Sequence, residues 1–98
     1  MTNQQIAQQG LEANQVLDNP VYQKAMASLK EEIVRQWKEC PVRDKEGQLL
    51  LLQLAKLADK FDGILRGMLE SGKLAQHQID LDSVRNESTL RRMIRKAA

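Results

Sequence analysis

Apolar residues recur along this chain at steps of three and four. No stretch alternates apolar with polar in the manner of a strand, so the pattern predicts helices throughout. Tyr22, Ala25, Met26, Leu29, Ile33, Trp37 and Cys40 fall on one face of a helix from about Pro20 to Glu39. Asn19 is a good N-cap for it, and Pro20 suits the first helical position. Pro41 stops it, because the residue before a proline disfavours the α region. A second helix is expected from about Asp44, a capping residue, to about Ser71. Its stripe is Leu50, Leu51, Leu54, Leu57, Ala58, Phe61, Ile64, Leu65 and Met68, all within about 70° of one centre line on a helical wheel. Gly72 reads as its C-cap, with Lys73 beside the negative end of the helix dipole. The link Cys40–Arg43 is short, and short links leave neighbouring helices antiparallel. The expected fold is all-α: an antiparallel helical hairpin over residues 19–76, with Leu29, Ile33, Trp37, Leu54 and Phe61 as its main core.

The two ends differ from this centre. Residues 1–18 form a polar lead-in rich in Gln4, Gln5, Gln8, Gln9 and Gln15 and interrupted by Gly10. Ile6, Ala13, Val16 and Leu17 give it a thin apolar stripe, so it is either a short helix in need of a partner or a frayed terminus. Residues 77–98 read as a linker and a basic C-terminal helix, with Asp82 or Ser83 as cap and Val84, Leu90, Met93 and Ile94 as its apolar positions. Within residues 85–98, Arg85, Arg91, Arg92, Arg95 and Lys96 stand against Glu87, a balance of +4. Residues 1–84 hold 10 basic and 12 acidic groups, a balance of −2, so the whole-chain charge of +2 hides a basic tail on a slightly acidic body.

Composition narrows the chemistry. At 98 residues the chain fits one domain, and a domain this small is only modestly stable unless it oligomerises. Tyr22, Trp37 and Phe61 are its whole aromatic set, so aliphatic side chains must form the core. Cys40 is the single cysteine and His77 the single histidine, which excludes an intrachain disulfide and a conventional zinc site. No run is apolar enough to span a membrane, and no signal peptide is expected. The expected place of action is the cytoplasm, or a particle assembled there. Neither a Walker-type phosphate loop nor a dinucleotide fingerprint is present, and Gly63 and Gly67 lie inside a helix pattern rather than after a strand. Asp80 and Asp82 lack the glycine and the closing glutamate of a calcium loop. Glu31, Glu32, Asp59 and Asp62 lie on solvated faces among lysines and arginines. No catalytic residue, cofactor or metal ligand is expected.

Surfaces carry the functional signal. Leu49 and Leu52 fall about 140–160° from the centre of the second helix's stripe, so a single hairpin partner cannot cover both faces. Gly63 and Gly67 share that back face. A glycine inside a helix costs about 1 kcal/mol against alanine, and two of them suggest close approach of another backbone, either a second copy or a partner helix. The alternative is a helix that bends or frays near its end. The basic tail, through Arg91, Arg92 and Arg95, can dock on an acidic protein patch with Leu90, Met93 and Ile94 in a groove, or can grip phosphates. It can also be a merely solvated end.

One set of residues carries a resemblance. Asn19-Pro20-Val21-Tyr22, then Trp37, Pro41, Arg43-Asp44 and Glu46-Gly47, then Gly72-Lys73-Leu74-Ala75 together resemble a pattern in small, mostly uncharacterised all-helical proteins of tailed bacteriophages. The resemblance covers residues 16–76 and brings no catalytic residues. It implies a phage protein of the head-assembly or DNA-packaging module. The expected function is therefore non-enzymatic: virion assembly, in scaffold-like contact with a coat or portal component, with self-association. The alternatives are a nucleic-acid-binding packaging factor resembling a small terminase subunit, and an inhibitor of a host protein.

Overall fold

A computed structural model describes residues 1–97. Ala98 and the side chains of Lys96 and Ala97, all in the expected basic tail, lie outside what is described. The protein is all-helical, with α1 over Asn3–Leu17, α2 over Pro20–Glu39 and α3 over Lys45–Ala97. It is a rod of 83 × 25 × 16 Å. The long dimension is that of α3 itself, since 53 helical residues rise about 80 Å.

Local chemistry sets three of the helix ends. Thr2 accepts from the Gln5 backbone N–H while Gln5 reaches back to the Thr2 N–H, a capping box that starts α1. Asn19 Oδ1 accepts from the N–H groups of Val21 at 2.8 Å and Tyr22 at 3.4 Å. With Pro20 behind it, this cap separates α1 from α2 by only Asp18 and Asn19. Asp44 Oδ1 accepts from the Gly47 N–H at 3.0 Å and starts α3. Between α2 and α3, the Asp44 N–H donates to the Pro41 carbonyl at 3.0 Å, and Gln48 Nε2 donates to the carbonyls of Pro41 and Val42 at 3.2 Å. The turn is thus tied from both sides. Asn19→Ala and Asp44→Ala are each expected to cost about 1 kcal/mol in urea unfolding, the usual value of a lost N-cap.

Partners on α3 descend as the chain ascends. Gly10 lies against Gly72, Tyr22 against Phe61 and Asp62, and Lys30 against Asp59, while Ile33 and Trp37 lie beside Leu51. Consequently α1 covers the middle of α3 and α2 covers its beginning. The final stretch of α3 has no helix beside it: every residue from Ser83 to Arg95 is exposed.

Of the two readings of the lead-in 1–18, the structure shows the short helix with a partner, because α1 makes the most extensive interhelical contact among the described residues. Two expectations are corrected. No linker separates residues 77–98 from what precedes them, since α3 runs through the expected boundary at 76/77 without a break. Gly72 is not a C-cap. No described glycine has a positive φ, and Gly72 is buried mid-helix. Burial of Gly72 and Ala75 against α1 keeps the helix going where the local pattern would let it end. Further along, side-chain links four residues apart support it: Gln76 to Asp80 at 3.0 Å, Gln78 to Asp82 at 3.1 Å and Arg91 to Glu87 at 2.7 Å.

Candidate interaction surfaces

The tightest contact is built from absent side chains. A Cβ added to Gly72 would stand 2.6 Å from the Gly10 Cα, and one added to Gly10 would stand 2.7 Å from the Gly72 Cα. The two backbones therefore touch. Ala7, Ala13 and Leu17 on α1 and Ala75 on α3 are buried around that point. Gly63 and Gly67, the glycines expected to mediate close approach, face open space with nothing within 4 Å of an added Cβ. Leu49 and Leu52 on the same side are exposed. Gly10 was legible only as an interruption. The clue to its role lay in the three-residue steps Ala7, Gly10 and Ala13, together with the Thr2–Gln5 capping pattern.

The contact of α2 with α3 is bracketed by polar groups. Tyr22 Oη donates to Asp62 Oδ1 at 3.2 Å, and Arg66 Nε donates to Asp62 Oδ2 at 2.7 Å. The Arg66 hydrogen bond holds the Asp62 carboxyl below its ordinary range. Partial burial, reinforced by the Asp62 charge, pushes the Tyr22 phenol above its own. A depressed carboxyl stabilises the fold above its unfolded pKa and loses that contribution as pH falls through the folded value. A raised phenol stabilises below about pH 10 and loses its contribution above that. The expected outcome is a stability plateau between those limits. Asp62→Asn should flatten the acid limb of a melting-temperature profile measured across pH.

The sequence placed five residues in the hairpin core, but only Ile33 is buried, at 8% exposure. Trp37 is 56% exposed and Phe61 53%, and Leu29 and Leu54 are also exposed. That core assignment is corrected for the single chain. The reason lies in α3, whose broad stripe is two seams rather than one. Leu51, Ala58 and Leu65 turn inward. Leu50, Leu54, Leu57, Phe61 and Ile64 turn outward and are exposed. Two open apolar grooves result. One, of about 420 Å³, is lined by Met26, Leu29 and Ile33 from α2 and by Leu54, Leu57, Ala58 and Phe61 from α3. The other, of about 180 Å³, lies on the opposite flank among Ile33, Val34, Trp37, Leu51, Leu52 and Ala55.

The remaining candidates are poorer in chemistry. Cys40 is half-buried, with Sγ 3.8 Å from the carbonyl oxygens of Pro41 and Asp44, and burial together with Asp44 pushes its thiol up, away from a reactive thiolate. His77 and Asp80 line a shallow concavity beside Gly10 and Gly72. Among the described residues no group of His, Cys, Asp and Glu could hold a metal ion, and no helix is long and apolar enough to cross a membrane. On the tail, Arg91 pairs with Glu87 on its own helix, while Arg92 and Arg95 are exposed with Leu90, Met93 and Ile94. No protein-family model, curated protein or solved structure matches this chain.

Proposed function

We propose that this protein is a non-enzymatic helical association protein, acting in phage virion assembly through contact with a coat or portal component. The observation that supports this reading is the pair of open apolar grooves flanking the α2–α3 contact, because a two-helix layer with both flanks uncovered is an incomplete core. On this reading α2 and α3 act as an antiparallel hairpin. Its flank at Leu49, Leu52, Gly63 and Gly67 receives the partner, and the basic end of α3 adds charge attraction. The phage assignment rests on the resemblance over residues 16–76.

The test is a phage carrying Leu49→Lys with Leu52→Lys. Assembly should stall, and the protein should disappear from purified heads or assembly intermediates while its helicity in isolation is kept. Wild-type particle yield would overturn the reading. A salt-sensitive shift of plain duplex DNA, lost with Arg91, Arg92 and Arg95 changed to glutamine, would favour the packaging-factor reading instead.

A further inference from the structure

We infer that the outward seam of α3 is the interface with a second copy of this chain, two α2–α3 layers closing face to face into a four-helix core. The inference rests on the reading that the chain works by association, and it assigns an occupant to the larger of the two grooves, for which that reading names none.

Spacing is the first ground. Leu50, Leu54, Leu57, Phe61, Ile64 and Met68 follow one another at steps of four, three, four, three and four, the repeat that keeps a seam facing a partner helix. The inward seam at Leu51, Ala58, Leu65 and Gly72 has the same seven-residue repeat and is already occupied by α2 and α1. An outward seam of equal regularity, with Leu57 62% exposed, is therefore built for a helix that the single chain does not supply.

Area is the second. A folded monomer of 11.2 kDa exposes about 5,700 Å² by the size scaling of monomeric proteins. This chain exposes 8177 Å². The excess of about 2,500 Å² is shared between the solitary end of α3 and the open faces, and a permanent homodimer interface takes about 1,000–2,500 Å² from each chain.

Charge is the third, and it favours a second copy over a partner of opposite sign. On the rims of this face, α2 carries Glu32, Arg35 and Glu39, with Arg35 already paired to both glutamates, and on α3 the seven-residue register sets Glu46 and Lys60 beside the seam, while Lys56 falls with Leu49 and Gly63. Both signs are present and nearly cancel, so two like faces meet without net repulsion.

The test uses the full chain. Sedimentation equilibrium should give twice the 11.2 kDa chain mass. Leu57→Glu with Phe61→Glu should halve that mass, while Leu49→Lys with Leu52→Lys on the other flank should leave it unchanged. Because the glutamate variant could simply unfold, a photo-crosslinking phenylalanine analogue at Phe61 gives an independent reading. Irradiation should yield a covalent dimer with adducts on α2 or residues 50–64 of the second copy. A wild type that stays monomeric at millimolar concentration overturns the inference, as do adducts confined to other segments. A monomer whose Leu49/Leu52 variant still blocks virion assembly would sink the dimer alone. A dimer whose Leu49/Leu52 variant assembles normally would sink the virion reading alone.

Discussion

Gly72→Ala is expected to destabilise this protein, while Gly63→Ala and Gly67→Ala are expected to stabilise it. All three substitutions carry the same intrinsic gain, because alanine is better than glycine in a helix by about 0.8–1.0 kcal/mol. At Gly63 and Gly67 the new methyl meets nothing within 4 Å, so that gain should appear nearly whole. At Gly72 the methyl would lie 2.6 Å from the Gly10 Cα and 3.2 Å from the Ile6 carbonyl oxygen. Neither neighbour is a flexible side-chain tip. Both are backbone, so α1 must move away. Overpacking of this kind costs about 1–3 kcal/mol and should outweigh the helical gain. Gly72→Leu should detach α1 altogether and uncover Ala7, Ala13, Leu17 and Ala75. Thermal unfolding followed by circular dichroism reads the sign directly, since 1 kcal/mol moves the midpoint by about 4–8 °C in a domain of this size. A Gly72→Ala variant that melts higher than the wild type would mean that α1 does not pack on α3 in solution.

The second large effect concerns the end of α3. Deleting residues 83–98 should leave the folded body intact and abolish partner binding or particle assembly. Every residue from Ser83 to Arg95 is exposed, so the deletion removes none of the buried groups that hold α1 and α2 on α3. Its melting midpoint should stay close to that of the full chain. Attraction between exposed charges is screened within about 10 Å at 0.1 M salt. Binding through the tail should therefore weaken as salt rises, and Arg91, Arg92 and Arg95 changed to glutamine should matter more at low salt than at high. Binding that persists at high salt would be carried by Leu90, Met93 and Ile94, all exposed on the same stretch. Wild-type assembly by the truncated protein would reduce the tail to a solvated helix and leave function to the grooves.

Legibility followed the range of the cause. The start of α2 at Asn19-Pro20, its end before Pro41 and the start of α3 at Asp44 were each readable, because caps and prolines act within a few residues. The end of α3 was not. Gly72 and Lys73 form a reasonable local stop signal, and the helix passes through it because α1 lies against Gly72 and Ala75. The proposed interaction residues divide in the same way. Leu49, Leu52, Gly63 and Gly67 were identified as a face left over by the stripe, and they lie open. The pairing of Gly10 with Gly72 joins positions 62 residues apart in the chain, and no local pattern links them.

By itself, the sequence determined that this protein is all-α, where two of its breaks fall and that its tail is basic. These follow from three- and four-residue periodicity, from caps and from composition, all local properties of the chain. Only the tertiary structure decided which side of a wide apolar stripe is covered. A stripe of nine residues on α3 is wider than one neighbouring helix can bury, and the sequence cannot say where along it the neighbour will sit. The backbone contact at Gly10 and Gly72 and the polar bracket at Tyr22, Asp62 and Arg66 set α1 and α2 on one edge of it. That placement left Leu50, Leu54, Leu57, Phe61 and Ile64 facing outward, and so turned half of an expected core into a surface.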